Sequence, residues 1–234
     1  MRIGVLASGS GSNLQAILDA CAAGHIDATV AVAISNVPGA PALDRARAAG
    51  ATAELVPSTG VADRAAYDAR LLDRLRAHRV DLVCLAGYMR LVTPAFLEAF
   101  GPTAETRGCP RVMNVHPALL PAFPGLHAQR QAVAYGVRFS GCTVHFVDTG
   151  TDTGPVIAQA VVPVLPDDTE EALAARILTE EHRVYPQAVQ WFAEGRLSVA
   201  GRRVTVRGSG APALSGLANP ARELPGAAAA SPGP

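Results

Sequence analysis

Two residues in the segment 114–121, which reads Asn-Val-His-Pro-Ala-Leu-Leu-Pro, are suited to act together on one substrate. The apolar run that leads into this segment predicts a strand, and residues two apart on a strand project from the same face. Asn114 and His116 would therefore point toward one centre. An amide can stabilise an oxyanion, and an imidazole titrates near neutral pH and can move a proton. A purely structural hydrogen-bonded pair would explain the same two residues.

A polar loop at 148–155, Asp-Thr-Gly-Thr-Asp-Thr-Gly-Pro, separates two later apolar runs. Its composition is also typical of an ordinary turn. Asp152 lies far enough along the chain from His116 for the chain to make an excursion and return alongside. A carboxylate in that position would orient the imidazole and favour its protonated form.

The loop at 8–13, Ser-Gly-Ser-Gly-Ser-Asn, lies between a predicted strand and a predicted helix. Glycines let the backbone approach an anion, and the first turn of a helix offers free N–H groups and a positive dipole end. The loop is not a dinucleotide fingerprint, because Leu14 stands where the third glycine would be. It predicts a phosphate site, and a plain tight turn is the alternative.

The elements that must position these loops alternate between strands and helices. Apolar runs at 3–7, 29–34, 82–86 and 112–115 predict strands buried on both faces, and the runs 12–23, 42–49 and 64–78 predict helices. This pattern favours an α/β fold with a Rossmann-like, mostly parallel twisted sheet and helices on both faces, with ligands at the carboxyl ends of the strands. Two more strands are predicted at 141–147 and 156–164. A long helix follows, with Asp168 and Glu171 as a capping box and Pro186 as a kink.

Composition excludes several function classes. The chain has 234 residues, 49% of them hydrophobic, with 20 basic residues against 20 acidic ones, and every basic residue is arginine. The absence of lysine excludes Schiff-base chemistry and a Walker-type lysine, and zero net charge argues against a general nucleic-acid binder. Four scattered cysteines without a C-x-x-C pair indicate neither a zinc site nor a disulfide scaffold. No apolar run is long enough for a signal peptide or a membrane span, so we expect a cytoplasmic protein without a membrane partner.

The chain divides by composition near residue 207. Residues 1–207 predict one domain, and the Pro-, Gly- and Ala-rich residues 208–234 predict a disordered tail.

Four segments resemble, in order and spacing, the glycinamide ribonucleotide transformylases (phosphoribosylglycinamide formyltransferases). They are 8–13, 85–90 (Leu-Ala-Gly-Tyr-Met-Arg), 114–125 and 152–155. The resemblance covers roughly residues 1–199 and implies the formyltransferase fold, with a phosphoribosyl-substrate half followed by a folate and catalytic half. It implies transfer of the formyl group of 10-formyltetrahydrofolate, as cosubstrate, to the amino group of glycinamide ribonucleotide in purine biosynthesis. Both partners are small molecules, no metal is implied, and a homodimer is compatible with the resemblance.

The resemblance also assigns residues to roles. It implies that Asn114, His116 and Asp152 are catalytic, and that Glu181 binds the ribose hydroxyls together with a phosphate and glycinamide grip formed by Gly11, Ser12 and Asn13. The implied folate-binding residues are Arg64, Met89, Arg90, Leu91, Val92, Asn114, Asp148, Thr149, Gly150, Thr151 and Asp152.

Some of these residues have structural alternatives. Glu181 could lie on a solvated helix face, and Met89, Leu91 and Val92 could belong to the core. His145 resembles a family histidine near the site, but a core histidine with satisfied hydrogen bonds fits equally. The stretch 101–110 is longer than is usual in the family, and we expect it to be a surface loop.

Three other functions compete with the transferase. A formyltetrahydrofolate hydrolase would share the catalytic trio, but such enzymes carry a regulatory domain before it, whereas here the first strand is predicted to begin at Arg2. Methionyl-tRNA formyltransferases add a basic C-terminal domain. A non-catalytic nucleotide-binding module would leave Asn114, His116 and Asp152 unexplained together.

Overall fold

The computed structural model describes residues 1–61 and 63–208, which are built around a seven-stranded sheet. Its strands are β1 (Arg2–Ala7), β2 (Thr29–Ser35), β3 (Thr52–Leu55), β4 (Leu82–Leu85), β5 (Val112–His116), β6 (Phe139–Phe146) and β7 (Val156–Pro163). Their order is β3-β2-β1-β4-β5-β6-β7. The first five strands are parallel to one another, and β6 and β7 are antiparallel additions. The expected mostly parallel α/β fold is confirmed.

Six helices and a hairpin complete the described chain. The helices are α1 (Ser12–Ala22), α2 (Pro41–Ala48), α3 (Arg64–Ala77), α4 (Pro94–Ala99), α5 (Ala128–Tyr135) and α6 (Glu170–Ala193). The hairpin pairs β8 (Leu197–Ala200) with β9 (Arg203–Val206). None of these helices is both long and apolar enough to span a bilayer.

The core lies on both faces of the sheet. Side chains alternate along a strand, so Val5 of β1 and Cys84 of β4 join one buried cluster, whereas Leu6 and Leu85 join another. Helices α1, α2 and α6 cover the first cluster, and α3 and α4 cover the second. Strands covered on both faces must be apolar at consecutive positions, which is why the sequence pattern of β1, β2, β4 and β5 was so clear.

The strand order reverses at β1, because successive crossovers lead from β1 outward to β3 and then back across to β4 and β5. At such a point the loops that follow neighbouring strands separate and leave a crevice at the carboxyl edge of the sheet. The loops after β1, β4 and β5 all open there. The three segments singled out for chemistry therefore converge on one edge of the sheet or lie beside it.

The structure corrects the start of α6. Thr169 is its N-cap, and the Thr169 hydroxyl accepts a hydrogen bond from the backbone N–H of Ala172. Asp168, which was predicted as the cap, instead forms an ion pair with Arg176 at 2.7 Å. Arg176 is a full two turns along the helix, and its charge draws the Asp168 carboxylate away from the capping position. Helix α6 continues through Pro186 as one element.

Two further expectations concern segments outside the regular elements. The stretch 101–110 is a mostly exposed loop, as expected, and only Cys109 within it is buried at 1% exposure. The predicted tail at 208–234 lies outside the described residues beyond Gly208, and its disorder stays a prediction.

Candidate active site

Asn114 and His116 lie on β5 and meet a third polar residue across the sheet. Strand β6 pairs antiparallel with β5, which places His145 directly opposite Asn114 in the register. The Asn114 Nδ2 atom lies 3.3 Å from His145 Nε2 and donates at 3.5 Å to Oδ1 of Asp152. Asp152 Oδ2 lies 3.3 Å from His116 Nδ1, and Oδ1 lies 3.6 Å from His145 Nε2. We call these four residues the polar cluster.

Backbone carbonyls set the orientation of the two imidazoles. His116 Nε2 lies 2.8 Å from the carbonyl oxygen of Phe123, so this nitrogen donates. Its Nδ1 faces the Asp152 carboxylate. When both ring nitrogens carry a proton, the ring can donate to the Phe123 carbonyl oxygen and to Asp152 Oδ2 at the same time. His145 Nδ1 donates to the carbonyl oxygen of Phe146 at 2.8 Å, which leaves Nε2 for Asn114 or Asp152.

Asp152 is held in a conformation that aims both carboxylate oxygens at donors. Its φ is 53°, in the left-handed region that Asp tolerates better than most residues, and its side chain is 14% exposed. Burial alone would raise the pKa of this carboxyl. The hydrogen bond from His145, the backbone N–H of Gly125 at 2.8 Å and the charges of both imidazoles outweigh burial, so the pKa of Asp152 is lowered. The carboxylate is therefore ionised at neutral pH.

The loop at 148–154 is braced from within, and we call it the catalytic loop because it carries Asp152, which is predicted from the sequence to be catalytic. The Thr153 hydroxyl donates to Oδ1 of Asp148 at 2.6 Å, and the N–H of Gly150 donates to the same oxygen at 3.1 Å. Gly154 lies against the carbonyl oxygen of Phe146, where a Cβ would collide with the backbone. Thr149, Gly150 and Thr151 are exposed at its tip.

The second half of the site lies at the start of α1. Gly11 is the N-cap with φ 72°, and a Cβ there would lie 2.7 Å from the Cα of Ala42, so only glycine fits. No side chain caps this helix, which leaves its first N–H groups, including that of Ser12, available to an anion.

Glu181 of α6 closes this half of the site from the opposite side. Asn13 Nδ2 donates to Glu181 Oε2 at 2.6 Å, and both residues are buried. Burial raises the pKa of Glu181, and the hydrogen bond from Asn13 opposes that rise. The alternative of a solvated helix face is wrong for Glu181. Among the described residues, the buried Oδ1 of Asn13 has no hydrogen-bond partner.

The positions expected to bind folate fall into two groups. Met89 and Leu91 are 64% and 55% exposed, so the core alternative is wrong for both, whereas Val92 packs partly against the second cluster. The guanidinium carbon of Arg90 lies 4.6 Å from the centroid of the Tyr67 ring, a cation–π contact. These residues line the carboxyl edge of the sheet after β4.

Two contacts join the loops at that edge, and one predicted residue stands apart. The backbone N–H of Met89 donates to the Ser8 hydroxyl at 2.9 Å, and this hydroxyl donates to Asn36 at 2.6 Å. Arg64 is exposed at the start of α3, and across residues 1–61 and 63–208 no hydrogen bond or ion pair joins its side chain to the other candidates.

His145 was left undecided by the sequence, and the structure places it within the polar cluster. The signal that would have found it is the antiparallel pairing of β5 with β6, because cross-strand neighbours lie close together. The sequence also gave no sign of the Phe123 carbonyl and the Gly125 N–H, since backbone groups carry no residue-type signal. Within the described residues, no set of three or more His, Cys, Asp or Glu side chains is placed to hold a metal ion.

An ionised carboxylate beside two imidazoles and an amide, on a Rossmann-like sheet, defines an acid–base group-transfer enzyme. The profile of the formyl transferase family matches residues 1–189. Phosphoribosylglycinamide formyltransferase of Escherichia coli (strain K12) is 44% identical over 199 residues, which are 85% of this chain and 90% of that protein. The chain belongs to the formyl transferase family.

Two further relatives are similar to most of this chain. The crystal structure of glycinamide ribonucleotide transformylase 1 from Symbiobacterium toebii matches with a TM-score of 0.83 at 57% identity, over 88% of this chain and 93% of that one. The trifunctional purine biosynthetic protein adenosine-3 of Drosophila melanogaster is 48% identical over 83% of this chain. The chain spans 14% of the length of that trifunctional relative.

A structure of the hydrolase class is also similar, at a greater distance. The formyltetrahydrofolate deformylase from Pseudomonas syringae pv. tomato matches with a TM-score of 0.78 at 27% identity, over 88% of this chain and 65% of that one. The shared fold therefore does not by itself separate transfer to an amine from transfer to water.

Proposed function

We propose that this protein transfers the formyl group of 10-formyltetrahydrofolate to the amino group of N1-(5-phospho-D-ribosyl)glycinamide. The products are the N-formyl compound and tetrahydrofolate, a step in the de novo synthesis of the purine nucleotide IMP. The proposal is supported by the named relatives that share most of the chain and, in the structure, by the convergence of Asn114, His116 and Asp152 on one point.

The polar cluster suits the two requirements of this reaction. Attack of the substrate amine on the formyl carbon forms a C–N bond and turns the carbonyl oxygen into an oxyanion. Asn114 would donate to that oxygen, and the positive charge of protonated His116, whose two N–H groups face Phe123 and Asp152, would stabilise it electrostatically in a partly buried site. Asp152 is ionised and would hold the positive charge on His116.

A proton must then leave the attacking amine and reach N10 of the folate, where the old C–N bond breaks. We propose that Asp152 and His116 assist this movement, which balances the reaction without an external acid or base. His145, which faces the same carboxylate, would keep Asp152 charged and oriented.

The acceptor side of the site favours an amine substrate over water. We propose that the free N–H groups at the start of α1 hold the substrate phosphate, with Gly11, Ser12 and Asn13 closest to it. Glu181 would then accept hydrogen bonds from the ribose hydroxyls. Anchoring the phosphate and the ribose would place the amine beside the polar cluster. An enzyme that transfers the formyl group to water would have no use for such an anchor.

We propose that the folate lies against Met89, Arg90, Leu91 and Val92 and under the catalytic loop. Two exposed apolar side chains beside a guanidinium suit a flat heteroaromatic ring, and Asp148, Thr149, Gly150 and Thr151 would cover it. We assign Arg64, which is exposed at the start of α3, to the more distant, charged part of the folate.

The same proposal gives the protein two small-molecule partners and a cytoplasmic location, without a nucleic-acid or membrane partner and without a metal. A homodimer is compatible with this proposal.

One assay decides between the transferase and its rival, a formyltetrahydrofolate hydrolase without its regulatory domain. Consumption of 10-formyltetrahydrofolate is measured with and without glycinamide ribonucleotide, and free formate is measured in parallel. We expect consumption to require the amine and formate to stay at background. Equal consumption in both conditions, with formate as product, would establish the hydrolase instead.

A further inference from the structure

The β8–β9 hairpin touches the catalytic loop through one side chain. Arg202, in the exposed turn between the two strands, donates from Nη2 to the carbonyl oxygen of Thr153 at 2.9 Å. Thr153 directly follows Asp152. The family profile ends at residue 189, so this contact comes from a part of the chain outside the matched residues.

The base of the hairpin is fixed to the rest of the protein. Leu197 is 2% exposed and belongs to the first buried cluster. The backbone N–H of Val199 donates to the carbonyl oxygen of Arg107 at 3.3 Å. Gly108 allows this close approach, because a Cβ there would lie 2.9 Å from the carbonyl oxygen of Val199. The turn that carries Arg202 is therefore held by the core and by the long loop at 101–110.

Arg202 adds an attachment to the exposed side of the catalytic loop. The other attachments of the loop include the Thr153 hydroxyl on Asp148 and the Gly125 N–H on Asp152. Its tip is exposed, and Asp152 sits in the left-handed region, a conformation that surrounding contacts must maintain. Arg202 holds the carbonyl group of Thr153, the residue that follows Asp152.

We infer that Arg202 is a positioning residue for Asp152, and that it holds the catalytic loop in its active arrangement from the β8–β9 hairpin, beyond the residues that the family profile matches. The kinetic consequence of this inference rests on the proposed function, whereas the contact between Arg202 and Thr153 is independent of that function. Arg202 is exposed, so solvent screens its charge and its influence is geometric. A loop freed on this side would bind folate less well and present Asp152 less often in the correct place.

The test compares Arg202→Ala with Arg202→Lys and with a matched control, Arg203→Ala. Arg203 is the neighbouring exposed arginine on β9, and its substitution removes the same charge. We expect Arg202→Ala to lower kcat/KM for 10-formyltetrahydrofolate by about threefold to tenfold, the range of one net hydrogen bond. The KM for glycinamide ribonucleotide and the melting temperature should not change. Arg202→Lys should recover part of the loss, and Arg203→Ala should match the wild type.

A mutant cycle tests whether the effect passes through Asp152. In an Asp152→Asn background, Arg202→Ala should cause no further loss of kcat, because the carboxylate that it positions is already absent. An equal loss in both backgrounds, or an equal loss in Arg203→Ala, would overturn the inference.

Hydrogen exchange separates failure of the inference from failure of the proposed function. In Arg202→Ala we expect faster amide exchange at 148–154 and at Gly125, with the remaining protected amides unchanged. Unchanged exchange in the catalytic loop would overturn the inference. If the wild type transferred no formyl group while this exchange difference persisted, the proposed function would be wrong and the attachment of the loop by Arg202 would stand.

Discussion

Asp152 is the residue on which the site converges, since an amide, two imidazoles and a backbone N–H all face its carboxylate. A negative charge surrounded in this way has little freedom to reorient. It holds His116 and Asn114 at a fixed distance from the point where an oxyanion would form. We therefore expect the catalytic role to belong to the group of side chains rather than to any one of them.

Substitution in the polar cluster should affect turnover far more than folding. We expect Asn114→Ala, His116→Ala and Asp152→Asn each to lower kcat by about 10²-fold or more, the usual cost of losing an oxyanion donor or an acid–base group. The losses in double variants should fall short of the product of the single losses, because the residues act as a unit. Steady-state kinetics on variants with a wild-type melting curve tests both points. Near-normal turnover in folded His116→Ala would exclude its proton role.

Glu181 shows a conflict between stability and binding. We expect Glu181→Gln to raise the free energy of unfolding by about 1 kcal/mol at neutral pH. The uncharged amide avoids burying a carboxylate and can also donate to the unpaired Oδ1 of Asn13. The same change should raise the KM for glycinamide ribonucleotide and leave the KM for the folate unchanged. Chemical denaturation and steady-state kinetics measure the two effects.

The stability gain should depend on pH in one direction. The folded-state pKa of Glu181 is raised above the ordinary value, so the folded state prefers the protonated acid. The wild type therefore loses stability as pH rises from the ordinary value of 4.5 through the raised pKa. The advantage of Gln should grow over that interval and vanish below it. A gain that stayed constant down to pH 4 would contradict this account of Glu181.

The catalytic loop owes its path to close packing at the end of β6. Gly154 leaves no room for a Cβ beside the carbonyl oxygen of Phe146, whereas a Cβ on Gly9 would meet no atom within 4 Å. We expect Gly154→Ala to displace the loop, lower kcat by at least about tenfold and reduce stability by about 1–3 kcal/mol. Gly9→Ala is the matched control, and it should leave the melting temperature within a degree or so of the wild type. If both variants melted alike, the packing at Gly154 would not control the loop.

Long apolar runs were predictable as strands, including the edge strand β7, whereas the short elements were not. The four strands β1, β2, β4 and β5 were found because consecutive apolar residues mark them, and α1, α2 and α3 because their apolar residues recur at helical spacing. Strand β3 lies at the edge of the sheet and is only partly buried, so its sequence lacks that mark. The short helices α4 and α5 and the hairpin were missed for the same reason. The cap of α6 was misplaced because Asp168 and Thr169 are both good caps, and only the distant Arg176 decides between them.

The candidate site divides in the same way. Asn114 and His116 are distinctive in type and spacing. The two-residue period of a strand alone predicted that their side chains lie on the same face. The contact between Asp152 and His116 and the position of His145 depend on the antiparallel pairing of β6, which no local pattern encodes. Glu181 was ambiguous because a carboxylate on an amphipathic helix is usually exposed, and its burial follows from the packing of α6 on α1.

The whole described molecule shares its main core. The first buried cluster contains Val5 from β1, Leu14 from α1, Phe146 from β6 and Leu197 from β8, so the two halves of the site do not have separate cores. We expect a single cooperative unfolding transition, with equal calorimetric and van't Hoff enthalpies. Two resolved transitions would show that the halves fold independently.

Truncation separates the hairpin from the residues that follow it. Removal of residues after Gly208 should leave the melting temperature and turnover unchanged, because the Pro- and Gly-rich composition predicts no packed contact. Removal of residues after Glu194 also deletes buried Leu197 and should cost at least about 2 kcal/mol. A clear loss in the shorter truncation would show that the tail contributes to the folded domain.

The Tyr185 hydroxyl lies 3.0 Å from the carbonyl oxygen of Leu85, the last residue of β4, and 3.1 Å from that of Met113, the second residue of β5. These buried carbonyls belong to strands made early in synthesis, but their partner is carried by a helix made much later. A nascent chain on the ribosome therefore contains β4 and β5 long before these two carbonyls can accept a hydrogen bond from Tyr185. Glu181 arrives on the same helix. Until α6 has emerged and docked, the chain on the ribosome therefore lacks the contact between Asn13 and Glu181 that we propose as part of the substrate site.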